Sequence, residues 1–247
     1  MAKNKDHYAE GISIVDNRDV TDIIFDFFGT LVNYSAKLFN EETPETLNFL
    51  RTNGFEVEIS KFEQTWEQCF LNLESEAEKT HKEFHMLDVG RLFFKSVFDI
   101  VPSNQVNEGF IETFIREWSR GIVFHEGILE FIESLSCKYR LSIISNTYYP
   151  PLIHQNLNTM KIKRYFSVIT SSIEFGIRKP NPKIFEHTLN MLGTNSARSV
   201  FVGDSYKDDF LGARGVGMPC YLIDTKRQYH DEPRRIEHIF ELKNILL

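Results

Sequence analysis

The sequence predicts an α/β protein in which a parallel sheet is interrupted, after its first strand, by an all-helical insertion. An apolar run of β-branched and aromatic residues that ends at Asp26 indicates a buried strand followed by a turn. Residues 34–118 then place apolar side chains at helical spacing. After Trp118, short β-rich runs alternate with helical stretches, a pattern typical of βαβ units. We therefore expect residues 1–33 and 119–247 to form the sheet domain and residues 34–118 to form a helical domain.

The first predicted strand covers residues 22–26, and a further short strand is expected at residues 11–15. Gly29 follows closely and indicates a turn. A carboxylate at the end of a buried strand is costly unless it is paired or takes part in chemistry. Asp26 is therefore the first candidate functional residue.

The insertion contains three sets of apolar residues at helical spacing, and each set predicts one helix. The sets are Phe62, Trp66, Cys69, Phe70 and Leu73; Leu87, Leu92, Phe93 and Val97; and Phe110, Phe114, Ile115 and Trp118. We expect these aromatic side chains to form the core of the insertion rather than the wall of a ligand site.

Four helix–strand units are predicted after the insertion. Their helices are expected at residues 127–135, 151–160, 182–192 and 210–214, and their strands at residues 141–144, 167–170, 200–202 and 219–223. In such sheets, ligands bind beyond the carboxyl ends of the strands. That edge of the sheet is therefore the expected place of the functional site.

Polar residues stand at four points along this predicted edge. In chain order they are Asp26 and Thr30; Ser145 and Asn146; Lys179; and Asp204, Asp208 and Asp209. Each also has a purely structural explanation, because such residues form turns, solvated loops and helix starts. No structural need, however, explains a carboxylate, a hydroxyl, a cation and an acidic pair at one edge.

In this order, the residues resemble the four motifs of the haloacid dehalogenase (HAD) superfamily. The segment Asp26-Phe27-Phe28-Gly29-Thr30-Leu31 is similar to its first motif, usually Asp-x-Asp-Gly-Thr-Leu, and the insertion has the position of its helical cap. Residues 124–127 resemble the return from the cap, with His125 where proline is usual, and residues 212–218 also resemble the family. The resemblance implies a Rossmann-like core with an inserted cap.

The resemblance implies a Mg²⁺ site and a covalent mechanism. Asp26 is the implied nucleophile, forming an aspartyl phosphate. Mg²⁺ prefers carboxylates, phosphate oxygens and water. Its implied ligands are Asp26, the carbonyl of Phe28, and Asp204, while Asp209 steadies a metal-bound water or the lysine. Asp208 is the less favoured neighbour.

The remaining motif residues are implied to bind the phosphoryl group. Ser145 hydrogen-bonds a phosphoryl oxygen, Lys179 neutralises charge there, and Thr30 and Asn146 complete the phosphate-binding set. The implied substrate is a small phosphorylated metabolite. Its specificity is expected in the cap, at residues such as Tyr34, Lys37 and Trp66.

Phe28 departs from the family pattern, because family phosphatases have an acid/base Asp at that position. Haloacid dehalogenases also lack this Asp, but they bind no Mg²⁺ and have no Asp at the position of Asp204. Phosphonate hydrolases combine a non-acidic residue with Mg²⁺ but require a cap lysine that the sequence does not identify. We expect a Mg²⁺-dependent phosphatase. The alternatives are a 2-haloacid dehalogenase and a weakly active ligand-binding protein of the same fold.

Composition argues against two classes of partner. The net charge of -7 does not suit a nucleic-acid surface, and no apolar stretch approaches the ~20 residues of a membrane helix. The first residues lack the apolar segment of a secretory signal, and the three cysteines show no metal or disulfide spacing. We therefore expect a cytoplasmic protein with reduced thiols. The sequence does not specify the oligomeric state.

Overall fold

The computed structural model describes residues 19–39 and 44–247, and its centre is a six-stranded sheet. The strands are, in chain order, β1 (Asp22–Phe25), β2 (Val32–Tyr34), β3 (Ile122–Phe124), β4 (Arg140–Ser145), β5 (Phe166–Ser171), β6 (Ser199–Gly203), β7 (Cys220–Ile223) and β8 (Arg235–Ile236). The order in the large sheet is β5-β4-β1-β6-β7-β8, and every neighbouring pair is parallel. The predicted α/β class with a parallel sheet is confirmed.

The helices lie around this sheet and in the segment between β2 and β3. They are α1 (Ala36–Phe39), α2 (Pro44–Thr52), α3 (Ile59–Thr80), α4 (Met86–Phe98), α5 (Asn104–Trp118), α6 (Ile128–Ser136), α7 (Pro151–Thr159), α8 (Ser172–Phe175), α9 (Pro182–Leu192), α10 (Gly212–Gly215) and α11 (Leu242–Leu246). In α9, Pro182 occupies the first turn and the Asn181 side chain accepts a hydrogen bond from the Lys183 N–H. Local sequence thus fixes where this helix begins.

The two faces of the sheet bury different residues of the same strands. In β1, Ile23 and Phe25 belong to a core shared with α6, α7 and α11, whereas Ile24 belongs to a core shared with α9 and α10. Side chains of a strand alternate between faces, so a strand covered on both sides is apolar at every position. Such burial explains why β1 is recognisable in the sequence as a continuous apolar run.

The helices between β2 and β3 form their own aromatic core. Phe62, Phe93, Phe94 and Phe110 are buried within it. The three predicted helices correspond to α3, α4 and α5. Division of the chain into domains at residues 33/34 and 118/119 stays a prediction.

A two-stranded antiparallel pair, β2 with β3, lies where the chain enters and leaves this helical segment. The sequence did not predict it. Each strand has three residues, which is too short for an alternating pattern to be visible. The pair places the two ends of the insertion side by side.

Other differences from the predicted elements are local. The short helix expected at residues 210–214 is a π-helical segment, Tyr206–Leu211, followed by α10. The strand expected at residues 11–15 lies outside the described residues. Among the helices that the structure describes, none is long and apolar enough to cross a membrane.

Candidate active site

The carboxyl ends of three adjacent strands form the floor of the site. Asp26 follows β1, Ser145 ends β4 and Asp204 follows β6. Because β4, β1 and β6 are neighbours and parallel, these ends meet at one edge. The Asp26 N–H donates to the Val202 carbonyl at 2.8 Å, which fixes the backbone of Asp26 against β6.

Lys179 joins two of the predicted carboxylates. Its Nζ lies 2.6 Å from Asp26 Oδ1 and 2.5 Å from Asp209 Oδ1, and its side chain is buried. The Asn146 side chain holds the lysine backbone, accepting from the Lys179 N–H at 2.8 Å and donating to the Lys179 carbonyl at 3.1 Å. The segment after β4, which contains Asn146, therefore positions Lys179.

Asp26, Asp204 and Asp209 form a carboxylate cluster whose oxygens lie within 4.8 Å of one another. Two glycines make this crowding possible. A Cβ on Gly29 would lie 2.2 Å from Asp204 Oδ2, and one on Gly203 would lie 2.3 Å from Asp209 Oδ2. Gly29 also has a φ of +84°, a backbone conformation that favours glycine.

The electrostatics of the carboxylate cluster favour a bound cation. Burial raises the pKa of Asp26 to about 8, with Lys179 opposing the shift and the other two carboxylates adding to it. Desolvation and the neighbouring Asp209 raise the pKa of Asp204 to about 6. Burial lowers the pKa of Lys179, but Asp209 and Asp26 outweigh that effect and the net shift is upward. Three carboxylates around one ammonium leave an excess of negative charge, which oxygen-seeking divalent cations neutralise. The residues present fit such a cation.

Phe28 stands between this charged edge and the helices. Its half-buried ring lies 4.9 Å from the Phe27 ring and 5.9 Å from the Trp118 ring, measured between centroids. Trp118 in turn stacks on Tyr34 at 4.5 Å. No described residue donates a hydrogen bond to the Phe28 carbonyl. The side chain itself has no proton to give or take.

Thr30 and Ser145 are both fully buried near this edge. Thr30 Oγ1 has no hydrogen-bond partner within the part of the chain that the structure describes, and Ser145 Oγ makes only a 3.3 Å contact with the Asn146 carbonyl. Thr30 Oγ1 is therefore a buried hydroxyl without a described partner, and the contact of Ser145 Oγ is a long one. Asp208, by contrast, lies outside the carboxylate cluster, and its N–H donates to Ser205 Oγ.

His125 does not reach the space above Phe28. Its Nε2 lies 3.1 Å from the Thr30 carbonyl, and its ring packs against His238 and Phe240. Burial and the nearby His238 lower the pKa of His125, while the Thr30 carbonyl opposes the shift. His125 therefore contacts the loop that follows β1.

A cavity of about 950 Å³ opens beside the charged edge, between the helical insertion and the sheet. It is lined by Phe28, Tyr34, Phe62, Glu63, Trp66, Glu67, Phe70, Met86, Phe114, Ile115, Trp118, Asn146, Thr147, Tyr148, Tyr149 and Leu152. Phe28 and Asn146 belong to the predicted first and second motif segments. The cavity therefore shares two lining residues with the predicted motifs and is adjacent to the charged edge.

The aromatic residues of the insertion form its core, as expected, but some of them also line the cavity. Phe62, Trp66 and Phe114 belong to the aromatic core and also face the cavity. Helical spacing shows which side of a helix turns inward, but not whether the space inside is filled. Tyr34 and Trp66 line the cavity as expected, whereas the Lys37 side chain lies outside the described structure.

Arg178, next to the lysine, ties the helical insertion to the site. Its guanidinium makes two hydrogen bonds to Glu74 of α3, at 2.8 and 2.9 Å, and lies 3.8 Å from Glu83. The Tyr148 hydroxyl donates to Glu74 at 2.8 Å. Burial lowers the pKa of Arg178, but its acidic partners outweigh that effect and raise it. No local sequence pattern predicts this network, since its members are far apart in the chain.

Comparison with known proteins agrees with this architecture. A profile of the family described as haloacid dehalogenase-like hydrolase matches residues 23–223, most of the chain. A segment of 97 residues is 37% identical to the glyceraldehyde 3-phosphate phosphatase of Methanothermobacter thermautotrophicus. That segment covers 38% of this chain and 42% of that protein, so the match spans less than half of the relative.

Two solved structures are similar over nearly their whole length. One is a 2-haloacid dehalogenase from Pseudomonas syringae pv. Tomato DC3000, with a TM-score of 0.70, 19% identity, and coverage of 92% of this chain and 98% of that one. The other is a HAD phosphatase from Thermococcus onnurineus, with a TM-score of 0.63, 24% identity and the same coverage. At these identities the likeness shows the fold alone, and it confirms the predicted Rossmann-like core with helical regions.

Proposed function

The chain belongs to the haloacid dehalogenase-like hydrolase family, and from that membership we propose that it is a Mg²⁺-dependent phosphatase of a small phosphorylated substrate. The observation that supports this activity best is the carboxylate cluster around Lys179. In phosphoryl transfer, an acidic cluster of this kind binds a divalent cation, and the cation balances the negative charge of both the carboxylates and the phosphate. The phosphatase relative agrees with this choice.

In the proposed site, Asp26, Asp204 and the Phe28 carbonyl would hold Mg²⁺, and Asp209 supports the site through its ion pair with Lys179. When bound, the ion would neutralise charge on the phosphoryl oxygens. Lys179 contributes a second positive charge beside Asp26. Both effects favour ionised Asp26, the form that acts as a nucleophile.

The proposed reaction has two steps. An oxygen of Asp26 attacks phosphorus, and the bond from phosphorus to the leaving oxygen breaks, giving an aspartyl phosphate. Water then attacks that phosphorus, which releases inorganic phosphate and restores the carboxylate. Thr30 and Ser145 offer hydroxyls to the phosphoryl oxygens, while Asn146 keeps Lys179 in place beside them.

Dehalogenation is a second candidate, because Phe28 replaces the acid that phosphatases use and a halide needs no proton. Two observations weigh against it. The carboxylate cluster places three carboxylates beside one lysine, and a metal-free reaction supplies no further cation to balance their charge. In addition, no described cavity side chain is a cation that could bind the carboxylate of a haloacid.

Metal dependence tests the proposal. With an aryl phosphate as substrate, chelation is expected to abolish turnover, and added Mg²⁺ to restore it. Asp204→Asn should weaken Mg²⁺ binding measured by calorimetry, whereas Asp208→Asn, outside the carboxylate cluster, should leave it nearly unchanged. Release of halide from haloacids at full rate in chelator would contradict the phosphatase proposal and support the dehalogenase.

We further propose that residues 34–118 act as a cap over the site, since α3 and α5 supply walls of the cavity. A cytoplasmic location is also part of the proposal. It rests on the sequence alone.

A further inference from the structure

The cavity offers far more room than a three-carbon phosphate fills. Its volume of about 950 Å³ equals roughly 30 water molecules at their volume in the liquid. Cavities of this size bury most of a drug-sized ligand. The part of the substrate that leaves with the oxygen is the part that can occupy it, because the phosphoryl group itself belongs at Asp26.

The chemistry of the wall restricts what that leaving group can be. Aromatic and aliphatic side chains predominate, including the two tryptophans of the chain, Trp66 and Trp118. Burying apolar surface against such a wall is favourable, whereas a polar group there loses its hydrogen bonds with water.

Charge restricts it further. Glu63 and Glu67 are one turn apart on α3, and both are exposed at the cavity. No lysine, arginine or histidine is among the described side chains that line the cavity. A second anionic group on the substrate therefore meets repulsion from these carboxylates, and no cation among the described side chains of the wall compensates for it.

The lack of a proton donor near the leaving oxygen further restricts the chemical class of the leaving group. Phe28 provides no acid, and His125 donates toward the Thr30 carbonyl or lies against it rather than facing the cavity. Tyr34, Tyr148 and Tyr149 also line the cavity, but burial raises the pKa of each hydroxyl, so all three are weak acids and the leaving oxygen departs largely as an anion. A phenolic oxygen does so far more readily than an alkyl one, since a phenol is much the stronger acid.

We infer that the substrate is a phosphate monoester of a large apolar phenol that bears no second negative charge. The inference rests on the proposed phosphatase activity. In the reaction, the carboxylate of Asp26 forms a bond to phosphorus and the aryl-oxygen-to-phosphorus bond breaks, so the electron pair leaves on the aryl oxide. The aryl oxide takes a proton from solvent. Hydrolysis of the aspartyl phosphate by water completes the turnover.

Three substrates with phenols of similar acidity test the inference: phenyl phosphate, 4-cyclohexylphenyl phosphate, and the same compound with a carboxylate on the far side of its ring. We expect kcat/KM to be at least about 10-fold higher for the cyclohexyl compound than for phenyl phosphate, since even one methylene in an apolar pocket gives a 10-fold or larger preference. The carboxylated compound should lose most of that gain.

Charge reversal at the rim gives a second readout. Glu67→Lys should raise the ratio of kcat/KM for the carboxylated over the uncharged compound by about fivefold, the upper range for an exposed ion pair. Glu76→Lys is the matched control, because Glu76 is exposed on the same helix and does not line the cavity. Its ratio should equal that of the wild type.

A binding measurement separates this inference from the proposed activity. In Asp26→Asn, tryptophan fluorescence reports on Trp66 and Trp118 directly, and 4-cyclohexylphenyl phosphate should bind at least about 10-fold more tightly than phenyl phosphate. Equal affinities, or equal kcat/KM values in an active wild type, overturn the inference and leave the phosphatase intact. Selective binding without any turnover by the wild type overturns the phosphatase instead.

Discussion

The strand edge and the cavity beside it differ in how their side chains are stabilised. At the edge, Asp26, Lys179 and Asp209 are buried charges held by one another, and each is costly unless its partners stay in place. In the cavity, the walls are mostly apolar and charge is found at the exposed rim. A change at the edge is therefore expected to alter the reaction itself, whereas the cavity can change in shape while the reaction stays the same. Four experiments test that contrast.

The largest effect is expected at Asp26. Asp26→Asn keeps the shape of the side chain but removes the proposed nucleophile, so turnover of aryl phosphates should fall by at least about 10⁴-fold. The measurement is initial rate under saturating substrate, with circular dichroism to establish that the variant is folded. In wild type, acid quenching during turnover should trap phosphate on Asp26. Ordinary turnover by the variant would exclude the covalent mechanism.

The same variant has an opposite effect on stability. In the metal-free folded protein the pKa of Asp26 is about 8, above its ordinary value of 3.8, so between these pH values the folded state binds more protons than the unfolded state. Its free energy of unfolding therefore decreases as pH rises from about 4 to about 8. Asp26→Asn mimics the protonated form and avoids this loss. In chelator, we expect the free energy of unfolding of Asp26→Asn to exceed that of wild type by about 5 kcal/mol at pH 8 and to match it near pH 3.

Urea unfolding across that pH range measures the difference. The control is Asp231→Asn, a change of the same kind at an exposed residue outside the carboxylate cluster. If the difference in free energy of unfolding between Asp26→Asn and wild type did not vary with pH, that result would contradict the raised pKa of Asp26.

At the boundary between the two regions, Phe28→Asp should change the substrate range. A carboxyl at this position can protonate the leaving oxygen and then activate water, so rates with alkyl phosphates should rise by about 10²-fold, the low end of general acid catalysis. The rate with an acidic phenol should change little, because that oxygen needs no proton. The measurement is the dependence of kcat/KM on leaving-group acidity for both proteins. A wild type that shows no such dependence would have an acid elsewhere.

The smallest effect is expected where Glu74 joins the two regions. Glu74→Gln weakens both hydrogen bonds to Arg178, so it should lower the free energy of unfolding by about 1–2 kcal/mol. It should also raise KM for a cavity-filling substrate, since α3 carries part of the cavity wall. Glu76→Gln, on the same helix but without this contact, should do neither. An unchanged KM in Glu74→Gln would limit the network to a structural role.

The same contrast explains what could be predicted from the sequence. The strand edge was predictable because a buried strand is a continuous apolar run, and the polar residue that ends it stands out. Asp26, Ser145 and Asp204 follow directly from the ends of β1, β4 and β6. Asp209 was preferred over Asp208 by spacing, and the structure places Asp209 against Lys179. Family membership and fold class are confirmed; the catalytic roles remain proposals.

The cavity was not predictable from the same patterns. Trp66 and Phe114 have the spacing of core residues, and each packs against the aromatic core on one side of its ring. Whether a void lies on their other side depends on how α3 and α5 sit over the sheet. Likewise, Glu74 and Arg178 are 104 residues apart, and no local pattern connects them. Long-range geometry, rather than local preference, decides both features.

The pairing of β2 with β3 has a consequence for how such a protein can evolve. Val32 pairs with Phe124 and Tyr34 with Ile122, so the first and last residues of the helical segment are neighbours in space. A segment inserted between two adjacent points can be lengthened, shortened or replaced without moving the strands on either side of it. New substrate preferences can thus arise through the insertion while β1 and the Asp26 that follows it keep their place in the sheet. The small antiparallel pair makes the helical segment an exchangeable part.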